Sequence, residues 1–321
     1  MDFTTTREQQ LEIALFRGGS LTLQNPAYLR EVDTFLEEFV RVDLTPRDLT
    51  VAALEIRSTA VSAVVLAREA GVAAGLEECA HLFESHGVSA RLEKKDGDVF
   101  AAGDALLHME GKYSQLLSLE RTGLNLLQRM SGIATMTRCL QERVRGRCHS
   151  TRVVATRKTV WGLLDKRAVH LGGGGTHRLG LGDAILIKNN HLALIARREE
   201  EAAPEALARA WRFRKDAAFI EIEVRSEGAA LAAARTFRSL QKESGEQYPC
   251  LLMLDNLPPR EISPILDSLH REHCWDYTLV EASGGISEKT AEAYADTGVD
   301  AISIGALTHS ARALDLCLRI S

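Results

Sequence analysis

Val153-Val154-Ala155-Thr156-Arg157-Lys158-Thr159 and, further on, Ala184-Ile185-Leu186-Ile187-Lys188-Asn189-Asn190-His191 share one design, an apolar run that ends in a cation. Such β-branched runs read as buried strands, and each delivers a charge to its strand's carboxyl end. Between them stand Gly172 to Gly175, followed by Thr176-His177-Arg178. Four consecutive glycines lose too much backbone entropy to hold a helix or a strand, so they predict a loop whose N–H groups approach a ligand closely. A surface loop with scattered charge is the plainer reading of any one of these features. Their recurrence in one segment predicts an anion trap made by Arg157, Lys158, Arg178 and Lys188, with His177 beside them, because guanidinium groups grip carboxylate or phosphate through paired hydrogen bonds.

The trap stands in an acidic chain of 321 residues with net charge -5, 45% hydrophobic and 26% charged. That balance lacks the basic footprint of a nucleic-acid binder and points to small anionic ligands. Six scattered cysteines form no C-x-x-C pair or zinc-like spacing, so a reducing compartment is expected. Neither a signal peptide nor a membrane-length apolar run is legible, and a cytoplasmic protein is the expectation.

Beyond Thr151 the pattern repeats. Apolar runs end near Lys158, Lys188, Glu223, Asp255, Ser283 and Gly305, at intervals of 30, 35, 32, 28 and 22 residues. Each interval holds one helix and two turns, the signature of β/α units whose functional groups gather at the strands' carboxyl ends. The expected fold is α/β: a (β/α) barrel, open or incomplete, over residues 136–321, preceded by a smaller α+β domain over 1–135. The C-terminal tail is expected to pack back on that domain. A doubly wound open sheet gives similar spacing but concentrates its site at one switch point. Before the barrel, the reading places helices at Tyr28–Val40, Gly75–Phe83 and Leu116–Ile133, and strands at Val61–Ala67 and Ala90–Asp98. The residues before Tyr28 read as a loose arm or a short helix broken at Asn25-Pro26.

In Phe219-Ile220-Glu221-Ile222-Glu223-Val224 alternation places Glu221 and Glu223 on one side of a strand, while Leu251-Leu252-Met253-Leu254 leads into Asp255-Asn256. Acids on barrel strands are costly unless they meet a cation or a polar ligand, and internal pairing with Lys158 or Lys188 is the structural explanation. The last two strand ends carry Ser283-Gly284-Gly285 and Gly305-Ala306, glycine turns suited to phosphate, and Ser287 is placed to cap a helix starting near Glu288.

The order T-R-K-T, G-G-G-x-x-H-R, I-K-x-N-H resembles the quinolinate phosphoribosyltransferase family. The likeness extends to Glu120-Arg121-Thr122 with Ser131-Gly132-Ile133-Ala134-Thr135, and to Val280-Glu281-Ala282-Ser283-Gly284-Gly285-Ile286. It implies phosphoribosyl transfer to quinolinate with decarboxylation, in NAD biosynthesis. By resemblance, Thr156, Arg157, Lys158, His177 and Arg178 would hold the base, with Arg121 reaching in from a partner subunit of a homodimer or higher even oligomer. Lys158 and Lys188 would face pyrophosphate, Glu223 and Asp255 the ribose and Mg2+, and Ser283, Gly284, Gly285, Gly305 and Ala306 the 5-phosphate. Lys158, Lys188, Glu223 and Asp255 would be the catalytic set.

The chain departs from the family pattern at Val160-Trp161-Gly162, where Pro-Gly is usual, at Asn189, where Asp is usual, and at Asp48-Leu49-Thr50, the remnant of a longer motif. Three rival readings follow. A same-fold relative associated with molybdate transport would take another base, an aldolase-like barrel would use Lys188 as a Schiff-base nucleophile, and a silent phosphate-binding protein would tolerate loss of Glu223 or Asp255.

Overall fold

The computed structural model describes residues 5–45, 47–54 and 59–320. These fall into two compact units, one of residues 18–138, 159–173 and 307–321, the other of residues 1–17, 139–158 and 174–306. The units interleave along the chain. Helix α1 (Arg7–Leu15) opens the chain and groups with the second unit.

In the first unit, α2 (Pro26–Asp43) begins where Asn25-Pro26 was expected to interrupt the chain. Asn25 is the N-cap, accepting the Ala27 N–H at 3.0 Å, and Pro26 sits where a helix has no N–H to lose. Then come α3 (Leu49–Ala53), β1 (Ala60–Ala67), the two-residue β2 (Gly71–Val72), α4 (Leu76–Ser85), β3 (Ser89–Leu92), the two-residue β4 (Val99–Phe100) and β5 (Ala105–Lys112). The strand expected through Asp98 therefore stops at Leu92.

Helix α5 (Tyr113–Arg147) runs well past the span Leu116–Ile133 that its apolar spacing marked. Helix α6 (Leu163–Leu171) also belongs to the first unit. The last strand, β12 (Leu316–Ile320), pairs antiparallel with β1 and completes a sheet of order β12-β1-β5-β3.

The second unit repeats strand and helix: β6 (Arg152–Val154), β7 (Ile185–Ile187), α7 (Asn189–Leu192), α8 (Glu199–Trp211), β8 (Ile220–Val224), α9 (Glu227–Ser244), β9 (Cys250–Asp255), α10 (Pro259–Arg271), β10 (Leu279–Ser283), α11 (Ala291–Ala295), β11 (Ala301–Ser303) and α12 (Ala306–His309). Every residue of β8 and almost every residue of β9 and β10 is buried, as expected for parallel strands covered on both faces.

The six strands form one parallel sheet in the order β6-β11-β10-β9-β8-β7. This is the order of a β/α barrel left open between β6 and β7. On the open flank of β6, Gly175 makes an isolated parallel bridge to Val154. At the strands' opening residues Leu11, Ala14 and Leu15 of α1 pack against Val154, Ala184, Phe219, Leu251, Leu279 and Ala301, so the first helix plugs one mouth of the barrel. Helix α11 starts at Ala291, later than the Glu288 expected; Ser287 instead closes a turn in which its N–H donates to the Thr290 hydroxyl.

All six cysteines are free, and Cys139 is exposed. Among the described residues no helix is long and apolar enough to cross a membrane.

Candidate active site

The carboxyl ends of the second unit's strands surround a cavity of about 410 Å³. Its walls carry Thr156, Arg157, Lys158, His177, Arg178, Lys188, Glu223, Asp255, Ser283, Gly284 and Gly285, eleven of the fourteen residues singled out above. Gly305 and Ala306 follow β11 but are not among the lining residues, and Arg121 lies exposed on α5 in the other unit. The cavity also takes in Leu186, Met253, Asn256, Glu281 and Ser303, which the reading of the sequence did not name as site residues. Alternation along β10 could have marked Glu281, because Ser283 is two residues on and shares its face.

The cations are delivered by short local devices. The Lys158 N–H donates to the Thr156 hydroxyl at 3.0 Å, turning the chain just after β6, and the Lys188 N–H donates to His191 Nδ1 at 2.9 Å at the end of β7. Burial, reinforced by the neighbouring Arg157 charge, presses the Arg178 pKa below its ordinary value. Two guanidinium groups that repel one another across a cavity wall are placed to share an anion.

In the same cavity Glu223 sits near the end of β8 and Asp255 ends β9. Burial first, and then the charge of Asp255, raise the Glu223 pKa, while Lys188 and the Asn189 N–H oppose the rise. The carboxylates thus stand close together beside a lysine. Next along the sheet Asn256 adopts a left-handed backbone, φ 57°, and donates its N–H to the Ser283 carbonyl at 2.9 Å. Gly284 is at φ 94°, and a Cβ there would lie 2.4 Å from Asn256 Oδ1 and 2.8 Å from its backbone nitrogen, so this turn accepts only glycine.

Two of the lining residues, His177 and Glu281, form with the buried Glu221 a cluster that the sequence did not disclose. His177 Nε2 is 3.0 Å from Glu221 and 3.3 Å from Glu281, all three buried, and the Ser303 hydroxyl donates to Glu281. Glu221 was expected to seek a lysine, but its partner is this histidine. Burial disfavours a charged ring, yet the two carboxylates outweigh it and push the His177 pKa up to about 9. Against that stands the Arg178 N–H, which donates to Nδ1 at 2.7 Å and leaves no room there for a second proton. We take the ring to be neutral with its proton on Nε2. Both nitrogens are then engaged within the protein, which makes His177 a strut under the base site more than a hand on the base.

The same geometry argues against a metal in this cluster, although the three donor atoms lie within 4.8 Å of one another. A histidine that binds a metal through Nε2 carries its proton on Nδ1 and donates it to an acceptor. Here Nδ1 faces a donor. Hard oxygen donors on the cavity wall, Glu223 and Asp255, suit magnesium better, since that ion takes one or two carboxylates and completes its shell with water and substrate oxygens.

Burial and the charge of Glu281 push Glu221 up to about 7 from an ordinary 4.5. Between those values the folded chain keeps a proton that the unfolded chain has released, so this group's contribution to stability is lost as the pH rises. Glu221→Gln should therefore gain on the wild type as the pH goes from about 5 to about 8, by up to roughly 3 kcal/mol. Urea unfolding at both pH values measures it; a difference that does not change with pH would show that Glu221 ionises normally.

A parallel β/α sheet that gathers four cations and two carboxylates around one cavity at its strand ends defines an enzyme site suited to anionic ligands. Comparison with known proteins places it further. Residues 48–131 match the quinolinate phosphoribosyl transferase N-terminal domain and residues 133–319 its C-terminal domain, and the chain belongs to this family.

A protein of Methanothermobacter thermautotrophicus named "probable nicotinate-nucleotide pyrophosphorylase (carboxylating)" is 39% identical, over 89% of this chain and 97% of the relative. The nicotinate-nucleotide pyrophosphorylase of Mycobacterium leprae is 37% identical, over 84% and 90%. The crystal structure of NadC from Streptococcus pyogenes superposes with a TM-score of 0.77 at 31% identity, over 91% of this chain and 96% of that one.

Proposed function

We propose that the chain transfers the phosphoribosyl group of phosphoribosyl pyrophosphate to quinolinate and releases carbon dioxide, giving nicotinate mononucleotide and pyrophosphate, a step of NAD biosynthesis. Membership of the family supports this. The observation that carries it to this chain is that Arg157, Lys158, Arg178 and Lys188 line one cavity together with Glu223 and Asp255.

Quinolinate brings two carboxylates on a pyridine ring. Arg157 and Arg178, with His177 fixed below them, hold these carboxylates, and Arg121 of a second subunit in a homodimer or larger even oligomer completes the grip. The 5-phosphate lies against the Ser283-Gly284-Gly285 turn, with Gly305 and Ala306 beyond it, and the pyrophosphate faces Lys158 and Lys188. Glu223 and Asp255 would hold magnesium, directly or through water, and the ion would supply charge neutralisation to the pyrophosphate.

As pyrophosphate departs, positive charge grows on the anomeric carbon, and the two carboxylates stabilise it while the pyridine nitrogen adds. The ring nitrogen is then cationic. The bond between C2 and its carboxylate breaks, its electron pair stays on C2 beside that nitrogen, carbon dioxide leaves, and a proton replaces it. The cytoplasm is the proposed setting.

The test is incubation of the purified chain with phosphoribosyl pyrophosphate, Mg2+ and either quinolinate or nicotinate. Nicotinate mononucleotide and labelled carbon dioxide from quinolinate alone are expected. Product from nicotinate alone would mean that the trap grips one carboxylate, and product from neither would return the molybdate-associated or silent readings. Borohydride trapping with a carbonyl substrate, expected to leave Lys188 unmodified, excludes the aldolase chemistry.

A further inference from the structure

The residues before Tyr28 read as a loose arm or a short helix with no function assigned, yet within the second unit Leu15 and Arg17 touch the segment that carries His177 and Arg178. Helix α1 is fixed at its start: Arg7 makes two bonds to Asp300, at 2.6 and 2.5 Å, and lies 3.6 Å over the Trp275 ring. Glu8 pairs with the buried Arg152 at 2.5 Å. Its apolar face is sunk among the strand starts. The helix therefore has little freedom to shift, and its last residues act as a fixed template.

That template meets the open flank of the barrel. The last carbonyls of a helix have no partner within it and need donors from elsewhere. The Leu15 carbonyl receives the His177 N–H at 3.0 Å, and the Thr176 hydroxyl faces the same oxygen at 3.3 Å. The Arg17 N–H donates to the Thr176 hydroxyl at 3.1 Å. The Arg17 side chain bonds Asp183 Oδ1 at 3.0 Å, and Asp183 Oδ2 receives the Leu179 N–H at 2.8 Å.

Bonds from 15–17 thus bracket Thr176-His177-Arg178 on both sides. The approach is close enough to dictate a neighbour: a Cβ on Gly175 would lie 3.1 Å from the Leu15 oxygen and 2.6 Å from Val154 Cγ1. His177 itself is held at φ 54°, a conformation that a β-carbon disfavours and that persists only where the surroundings impose it.

We infer that the segment ending at Arg17 belongs to the base-binding apparatus, with Arg17 and Asp183 as positioning residues that set His177 and Arg178 for the substrate's carboxylates. This rests on the reading that Arg178 grips the base. The groups assigned to the ribose and the 5-phosphate follow β8, β9, β10 and β11, and only the pyrophosphate lysines Lys158 and Lys188 follow β6 and β7. Loosening the clamp should therefore be felt by one substrate and not by the other.

The experiment compares Arg17→Ala, Arg17→Lys, Asp183→Asn and Arg178→Ala with wild type in steady-state kinetics, varying each substrate in turn, and in equilibrium dialysis with labelled quinolinate. Arg17→Ala and Asp183→Asn are each expected to raise the quinolinate KM on the order of ten-fold, short of the roughly hundred-fold cost of a misplacement by about 1 Å. The phosphoribosyl pyrophosphate KM should stay within about two-fold, and Arg17→Lys should recover most of the loss.

Equal rises in both KM values, or a fall in thermal stability with neither KM changed, would overturn the inference by making the clamp a matter of folding alone. Wild-type quinolinate binding in Arg178→Ala would instead overturn the base-site reading beneath it. If Arg17→Ala does not fold, Asp183→Asn reads the same contact from the other side.

Discussion

Asp255→Asn is expected to lower kcat by about 10² to 10³ while the quinolinate KM changes little, an effect of the size seen when a single preorganised electrostatic group is removed from a transition state. The side chain keeps its shape and loses its charge. Asp255 ends β9 in register with Ser283 at the end of β10, so it stands between the carboxylate of Glu223 and the phosphate-suited turn. In the proposed reaction both carboxylates would stand beside the ribose ring as it becomes cationic, and the benefit of their charge would be realised only as pyrophosphate leaves. An interaction made only in the transition state shows in kcat and in kcat/KM together. Stopped-time assays at saturating substrates measure it, with Asp255→Glu as the variant that keeps the charge. A loss confined to the phosphoribosyl pyrophosphate KM would mean that Asp255 serves ground-state binding alone.

Asp165→Ala should cost about 3 to 5 kcal/mol of stability, because removing one member of a buried ion pair strands the other. Asp165 is wholly buried in the first unit, and its carboxylate meets Arg129 through two bonds of 2.9 Å. The same carboxylate takes the Thr159 hydroxyl at 2.5 Å and the N–H groups of Val160 and Trp161 at 3.0 and 3.1 Å.

This turn is where the sequence departs from the family's usual Pro-Gly, and a proline at 161 would lack the N–H that Asp165 uses. Trp161 is in turn packed by Phe35 and Phe39, with ring centroids 5.0 and 5.4 Å away. At about 2 to 4 °C per kcal/mol for a chain of this size, the melting temperature should fall on the order of 10 °C. Scanning calorimetry of Asp165→Ala and Asp165→Asn reads this directly, and a shift of only a degree or two for Asp165→Ala would remove the pair from the account of stability.

Helical spacing and turn chemistry were legible wherever they are local. Tyr28–Val40 read as a helix from its own apolar positions, and Asn25-Pro26, read as a break, is the cap that starts it. Helix α5 was expected to stop at Ile133, although the buried Ala134, Leu140 and Val144 continue the helical spacing toward Arg147. The strand read over Ala90–Asp98 shortened to Ser89–Leu92 because β5, its pairing partner, ends its register there.

By itself the sequence determined which chemistry stands at the strand ends: Lys158, Lys188, Glu223, Asp255 and Ser283 recur at β/α intervals, and a strand's period of two residues fixes the face each occupies. It could not say how deep a residue on that face would sit. Glu221 and Glu223 share a face, yet Glu221 is buried against His177 and does not line the cavity, while Glu223 does. Depth depends on what covers the strand, and that comes from residues far away in the chain. The same holds for Leu15 and His177, whose hydrogen bond joins α1 to the loop before β7. Only the tertiary structure, by bringing such distant segments together, decided that the barrel stays open at β6 and β7, that the first helix closes one mouth of it, and that His177 spends both nitrogens inside the protein.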